Sequence, residues 1–71
     1  MITTADIKIG QTVNFFNDKV NSMVNYKVAA GNAIDGMIAV YNHHNPKIAA
    51  KFLKGYPVCI AIHITQVKEI V

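Results

Sequence analysis

"NHHNPKIAAKFLKG", residues 42–55, is the stretch whose reading decides the fold. Taken as a helix, it sorts its side chains well: Lys47, Lys51 and Lys54 fall on one face, and Ile48, Ala49, Phe52 and Leu53 on the other. Asn45 is a good N-cap, and Pro46 suits the first helical position, where its missing N–H costs nothing. Gly55 stands where a helix ends in the left-handed conformation. Taken as a strand, the same stretch sets Ile48, Ala50 and Phe52 against Lys47, Ala49 and Lys51 and leaves Leu53 on the polar side. The spacing therefore predicts one short helix near 46–54.

Everything around that helix reads as strand. The chain has 71 residues, enough for one domain, 1–71, with ten Ile and eight Val that favour sheet. A domain this small has a thin core, and a partner or self-association can supply what the core lacks. "DIKIGQTVNFF" (6–16) alternates Ile7, Ile9, Val13 and Phe15 against Lys8, Thr12 and Asn14, with Gly10 marking either a bulge or a turn ahead of a strand that starts at Gln11. From Val24 to Val40 the even positions stay mostly apolar, which is period two and too long for one strand. A three-residue loop over Ala30, Gly31 and Asn32 would pair Val28 with Ile34 and Val24 with Ile38. A two-residue Gly31-Asn32 loop would set Asp35 opposite Val28, and the dipeptide Asp35-Gly36 is a competing turn. "VCIAIHITQVKEIV" (58–71) points Val58, Ile60, Ile62 and Ile64 inward until Thr65-Gln66, where a tight turn into a short closing strand explains the change of phase. The expected fold is mainly β, a small five-stranded barrel with one short helix.

With 46–54 helical, the element order is that of an OB-like barrel; with 47–53 as a strand it becomes SH3-like, closed by "ITQVKEI". On that second arrangement, "DIKIGQTVNFF", "AIDGMIAVYN" and "KIAAKFLKG" resemble the short SH3-like β-barrel proteins of tailed phages. The resemblance implies a virion-associated or assembly role without enzymatic activity.

The residues offer little chemistry. Four carboxylates, no Ser-His-Asp or Cys-His spacing and no glycine-rich phosphate loop argue against an enzyme. Adjacent His43 and His44 cannot easily point at one ion, and a zinc site takes three or four ligands. His63 is the candidate third, placed on the outer face of its strand. Cys59 and His63 would stand ~13 Å apart on a strand, too far to share a metal. No metal and no cofactor are expected, and His43 and His44 read as exposed loop residues. Cys59, without a disulfide partner, reads as a buried small hydrophobe.

Two binding functions remain. Outward apolar side chains, Phe16, Met23, Met37 and Tyr41, are the candidate protein-binding surface, for a partner or a second copy. The alternative is a basic nucleic-acid-binding barrel, since the net charge is +3 and Lys47, Lys51 and Lys54 form a row. It is the weaker expectation because the chain has no Arg, the residue suited to bidentate phosphate and base contacts. "MITTADIKIG" lacks the basic head and apolar run of a signal peptide, and no apolar run approaches the ~20 residues of a membrane span. The expectation is a protein made in the cytoplasm, away from membranes, and destined for a virion if the resemblance holds.

Overall fold

The computed structural model describes residues 2–31 and 34–71. Five antiparallel strands form one curled sheet, a half-barrel: β1 (Thr12–Asn17), β2 (Ser22–Ala30), β3 (Met37–Tyr41), β4 (Ile60–His63) and β5 (Val67–Ile70). The helix α1 (Pro46–Leu53) crosses from β3 to β4, and the strand order is β4-β3-β2-β1-β5. The predicted helix is present, so residues 47–53 are not a strand. Its capping follows the sequence: the Asn45 side chain accepts from the Lys47 and Ile48 N–H groups at 3.0 and 3.4 Å, Pro46 opens the first turn, and Gly55 follows at φ +86°.

Period two builds the concave face. Val13, Phe15, Val28, Ile38, Val40, Ile62 and Val67 line it, with Ile7 closing one end. No polar side chain is buried among the described residues. The Phe15 ring meets Tyr26 edge to face at 5.3 Å, a favourable geometry for aromatic quadrupoles. The Tyr26 hydroxyl accepts from Asn17 Nδ2 at 3.3 Å, which keeps that ring's polar end satisfied.

Gly10 reconciles its two readings. A turn brings the Gln11 N–H to the Lys8 carbonyl at 3.2 Å; then Gly10 N–H donates to the Val28 carbonyl while Val28 N–H donates to the Gln11 carbonyl. Two residues thus oppose Val28, the pattern of a bulge with glycine at positive φ (+94°). Regular β1 begins at Thr12. Ile7 belongs to the core as expected, but Ile9 lies outside it, 74% exposed, because it sits in that turn.

The β2–β3 connection differs from every register the sequence suggested. Val28 faces Val40, not Ile34 or Asp35, and Ala30 faces Ala39, with Ala29 bulged between. Asn32 of the expected loop lies outside the described residues. The second half of the connection is a kinked single turn, Ile34–Gly36, with Asp35 at φ 61° and Gly36 at φ 77°. The competing Asp35-Gly36 turn therefore located the left-handed pair but not the length of the loop. Gly31 is fixed by close approach: a Cβ there would meet the Ile7 carbonyl oxygen at 3.2 Å and its Cγ2 at 3.3 Å.

The phase change at Thr65-Gln66 is a single 3-10 turn, Ile64–Gln66, capped by His63. His63 N–H donates to Gln66 Oε1 at 2.8 Å, and its Nδ1 accepts from Thr65 N–H at 3.2 Å. This turn carries the chain from β4, at one edge of the sheet, to β5, at the other. Val67 then faces Phe15 and Ile70 faces Val13, so the closing strand rejoins the core.

Candidate interaction surfaces

β1 and β2 are joined by a tight turn, and their last pairs are Phe16↔Met23 and Asn17↔Ser22. Phe16 and Met23 point away from the core, 40% and 46% exposed, with Val20 in the turn at 55%. Cross-strand neighbours on one face stand about 5 Å apart at Cβ, so Phe16 and Met23 form one apolar patch at the hairpin tip. The sequence picked both residues but not Val20, which lies in a polar turn. Its apolar side chain beside Asp18, Lys19 and Asn21 was the available signal.

The other two members of the expected surface lie elsewhere. Tyr41 is buried, not outward: its ring stacks on Phe52 of α1, with centroids 3.9 Å apart and planes 10° from parallel. The helix lies over the convex face there, and this stack is what docks it. Met37 is half-buried at the start of β3, opposite His63 of β4. The four residues do not form a common surface.

Lys47 and Lys51 on α1 and Lys54 at its C-cap are all exposed, and the first turn of the helix carries no acidic residue. Tyr56, just beyond the helix, is exposed as well, at 58%.

The histidines are placed by packing. His43 is half-buried, contrary to the exposed-loop reading: Tyr41 meets its ring edge-on, and His44 lies against it with centroids 4.0 Å apart. Its Nδ1 is buried with no hydrogen-bond partner. Burial, then the neighbouring His44 and Lys27, holds its pKa below the usual 6.5. His63 works as the cap just described, on the convex face as expected, and its Nε2 would meet a Cβ at Gly36 at 3.0 Å. Among the described residues no three His, Cys, Asp or Glu side chains gather as a metal site would require. Cys59 is exposed, not buried, because residues 56–59 cross the surface between α1 and β4; partial burial pushes its thiol pKa up and keeps it protonated.

A cleft of about 400 Å³ lies between residues 16–19 of the hairpin tip, residues 60–62 of β4 and Gln66. No residue of β2 or β3 lines it, so it follows the side of β4 that β3 leaves uncovered. Phe16 thus belongs both to the exposed patch and to this seam. The sequence reading overlooked the seam, although the absence of Lys, Asp and Glu from 58 to 66 marked it.

No helix among the described residues is long and apolar enough to cross a membrane. No protein-family model, curated protein or solved structure matches the chain.

Proposed function

We propose that the protein is a non-enzymatic binding module that acts through protein–protein contacts, as a virion-associated or assembly component of a tailed phage. The observation that carries the protein-binding reading is the exposed Phe16–Met23 pair at the hairpin tip of a 71-residue chain, with Val20 exposed in the turn beyond it. Clustered exposed apolar surface on a small domain marks a contact site. Strand order β4-β3-β2-β1-β5, with a one-turn helix between β4 and β5, supports an SH3-like barrel even though 46–53 is helix and not the strand that arrangement assumed. The phage assignment itself rests on the sequence resemblance, carried by "DIKIGQTVNFF" and "AIDGMIAVYN" now that "KIAAKFLKG" is helical. No metal or cofactor enters this function.

A second reading, binding of single-stranded nucleic acid, is favoured by the exposed lysine row on α1 with Tyr56 beside it. One experiment separates the two. Binding to a twenty-residue oligo-dT is measured across a salt series, alongside sedimentation of the free protein and of protein mixed with phage particles. A phosphate-binding surface loses roughly 0.7 log units of affinity per log unit of salt for each contact, and Lys47→Ala, Lys51→Ala and Lys54→Ala together flatten that slope. The expected result is negligible DNA binding at physiological salt and a protein that sediments as an oligomer or with the particle. Phe16→Asp or Met23→Asp then releases it with circular dichroism unchanged. Tight, salt-sensitive DNA binding by a monomer overturns the proposal.

A further inference from the structure

We infer that the free edge of β4 takes up an extended β-strand from a protein partner, an uncharged segment with alternate apolar side chains that runs in the seam between β4 and the hairpin tip. The inference rests on the protein-binding reading above and specifies the partner's chemistry.

β4 is the outermost strand, and its four residues pair with β3 alone. On its other side, alternate backbone N–H and C=O groups point outward as a template for another strand. Natural sheet edges are usually blunted by short length, charges, proline or bulges. β4 is short but has none of the others: its ladder to β3 is unbroken over four pairs, and it reads Ile-Ala-Ile-His. The seam supplies the second observation. Its cleft of about 400 Å³ lies along this same uncovered side, with Phe16 in the opposite wall. A strand hydrogen-bonded to β4 would place alternate side chains beside the Phe16 ring. Asp18 and Lys19, which also line the cleft, offset each other in charge, so the seam favours an uncharged segment.

A second copy of this chain fits less well. Four residues span ~13 Å of edge, and pairing over so short a length falls well below the ~1,000 Å² of a stable interface. Each copy also carries a charge of +3. A single strand meets both requirements at once, because it can pair with the edge and fill the cleft.

The test uses the 15N-labelled 71-residue chain and the uncharged peptide acetyl-Gln-Thr-Val-Thr-Val-Thr-Gln-amide as the probe. Amide shifts are expected at 60–63 and 16–19, with outward β4 amides exchanging about tenfold more slowly at saturation. The same peptide N-methylated at its threonines and valines keeps its side chains, loses its donors and should not bind. Ala61→Lys puts a charge into the seam from an exposed position and should weaken binding about tenfold, roughly the worth of one or two hydrogen bonds. Absence of shifts at millimolar peptide, shifts elsewhere, or equal binding of the N-methylated peptide would each overturn the inference. Concentration-dependent dimerisation abolished by Ala61→Lys would overturn it in favour of a second copy. A protein partner released by Phe16→Asp and Met23→Asp but indifferent to Ala61→Lys would overturn it and leave the proposed function standing. Salt-sensitive DNA binding by a monomer would remove both.

Discussion

At one edge of the sheet, β5 reads Val-Lys-Glu-Ile and meets β1 with a bulge: Asn14 faces Glu69, Phe15 faces Val67, and Lys68 is left without an opposite. At the other edge, β4 reads Ile-Ala-Ile-His and runs without interruption along β3. Both strands have four residues, and each anchors one buried residue in the same core, Ile62 and Val67. Their inner faces are therefore alike while their edges are opposite. Charges and a bulge discourage further pairing at β5, and nothing of the kind does so at β4. When one sheet protects one edge and leaves the other bare, the bare edge is where a function in strand pairing belongs.

The largest effect tests the shared part of the comparison. Ile62→Ala should cost roughly 2–5 kcal/mol, the range for truncating a buried aliphatic side chain. Ile70→Ala at the β5 edge should cost less than half as much, because Ile70 is only partly buried. Denaturant midpoints measure both. Equal losses would mean that β5 holds the core as firmly as β4 and that the bare edge is no better anchored than the protected one.

A smaller effect concerns what positions β4. The chain reaches β4 through α1, which ends at Gly55 (φ +86°) with open space around its α-carbon. Gly55→Val should cost about 1 kcal/mol or more from backbone strain alone, since nothing would obstruct the new side chain. Pro46→Ala, at a first-turn position that makes no use of its N–H, should be close to neutral. Thermal melts of the two variants side by side check this. A neutral Gly55→Val would show that the helix end does not constrain the path into β4.

Smaller still in stability is the removal of the β5 defences. Lys68→Thr combined with Glu69→Thr alters exposed side chains and should leave stability within about 0.5 kcal/mol. Its readout is self-association: with both edges bare, sedimentation should show concentration-dependent growth beyond the parent chain's own state. A variant that stays in the parent's state would mean that the bulge, not the charges, protects β5.

The sheet was legible because alternation is strict wherever one face is buried, as at Val13, Phe15, Val28, Ile38 and Val40. The helix was legible because Asn45, Pro46 and Gly55 are local signals whose meaning depends on no distant partner. Three features were not. The β2–β3 register depends on a bulge at Ala29 that no periodicity marks. Tyr41 looked outward because the alternation places it on the convex face; only the tertiary path of α1 covers it. Membership of one surface could not be read either: Phe16 and Met23 meet through hairpin register, whereas Met37 and Tyr41 are placed by β3, two strands from Phe16.

The smallest effect comes from acid and tests whether the crossover holds β4 more than it holds β5. His43 begins that crossover, half-buried between Tyr41 and His44, with Lys27 nearby and no partner on Nδ1. Its folded pKa lies below the usual 6.5, so as pH falls through that value the unfolded chain takes up a proton that the folded chain resists. Stability therefore declines with falling pH until the folded imidazole itself titrates, and the contribution is complete above that window. Protonation in place would set a second charge beside His44 and Lys27 and loosen the seat of Tyr41 under Phe52. Amide exchange, corrected for its intrinsic pH dependence, should then accelerate in β4 more than in β5 between pH 7.5 and 5. His43→Gln should abolish that difference, since it removes the titrating ring. Equal acceleration at both edges in the parent chain would show that α1 does not set the position of β4 and that the two edges differ in their side chains alone.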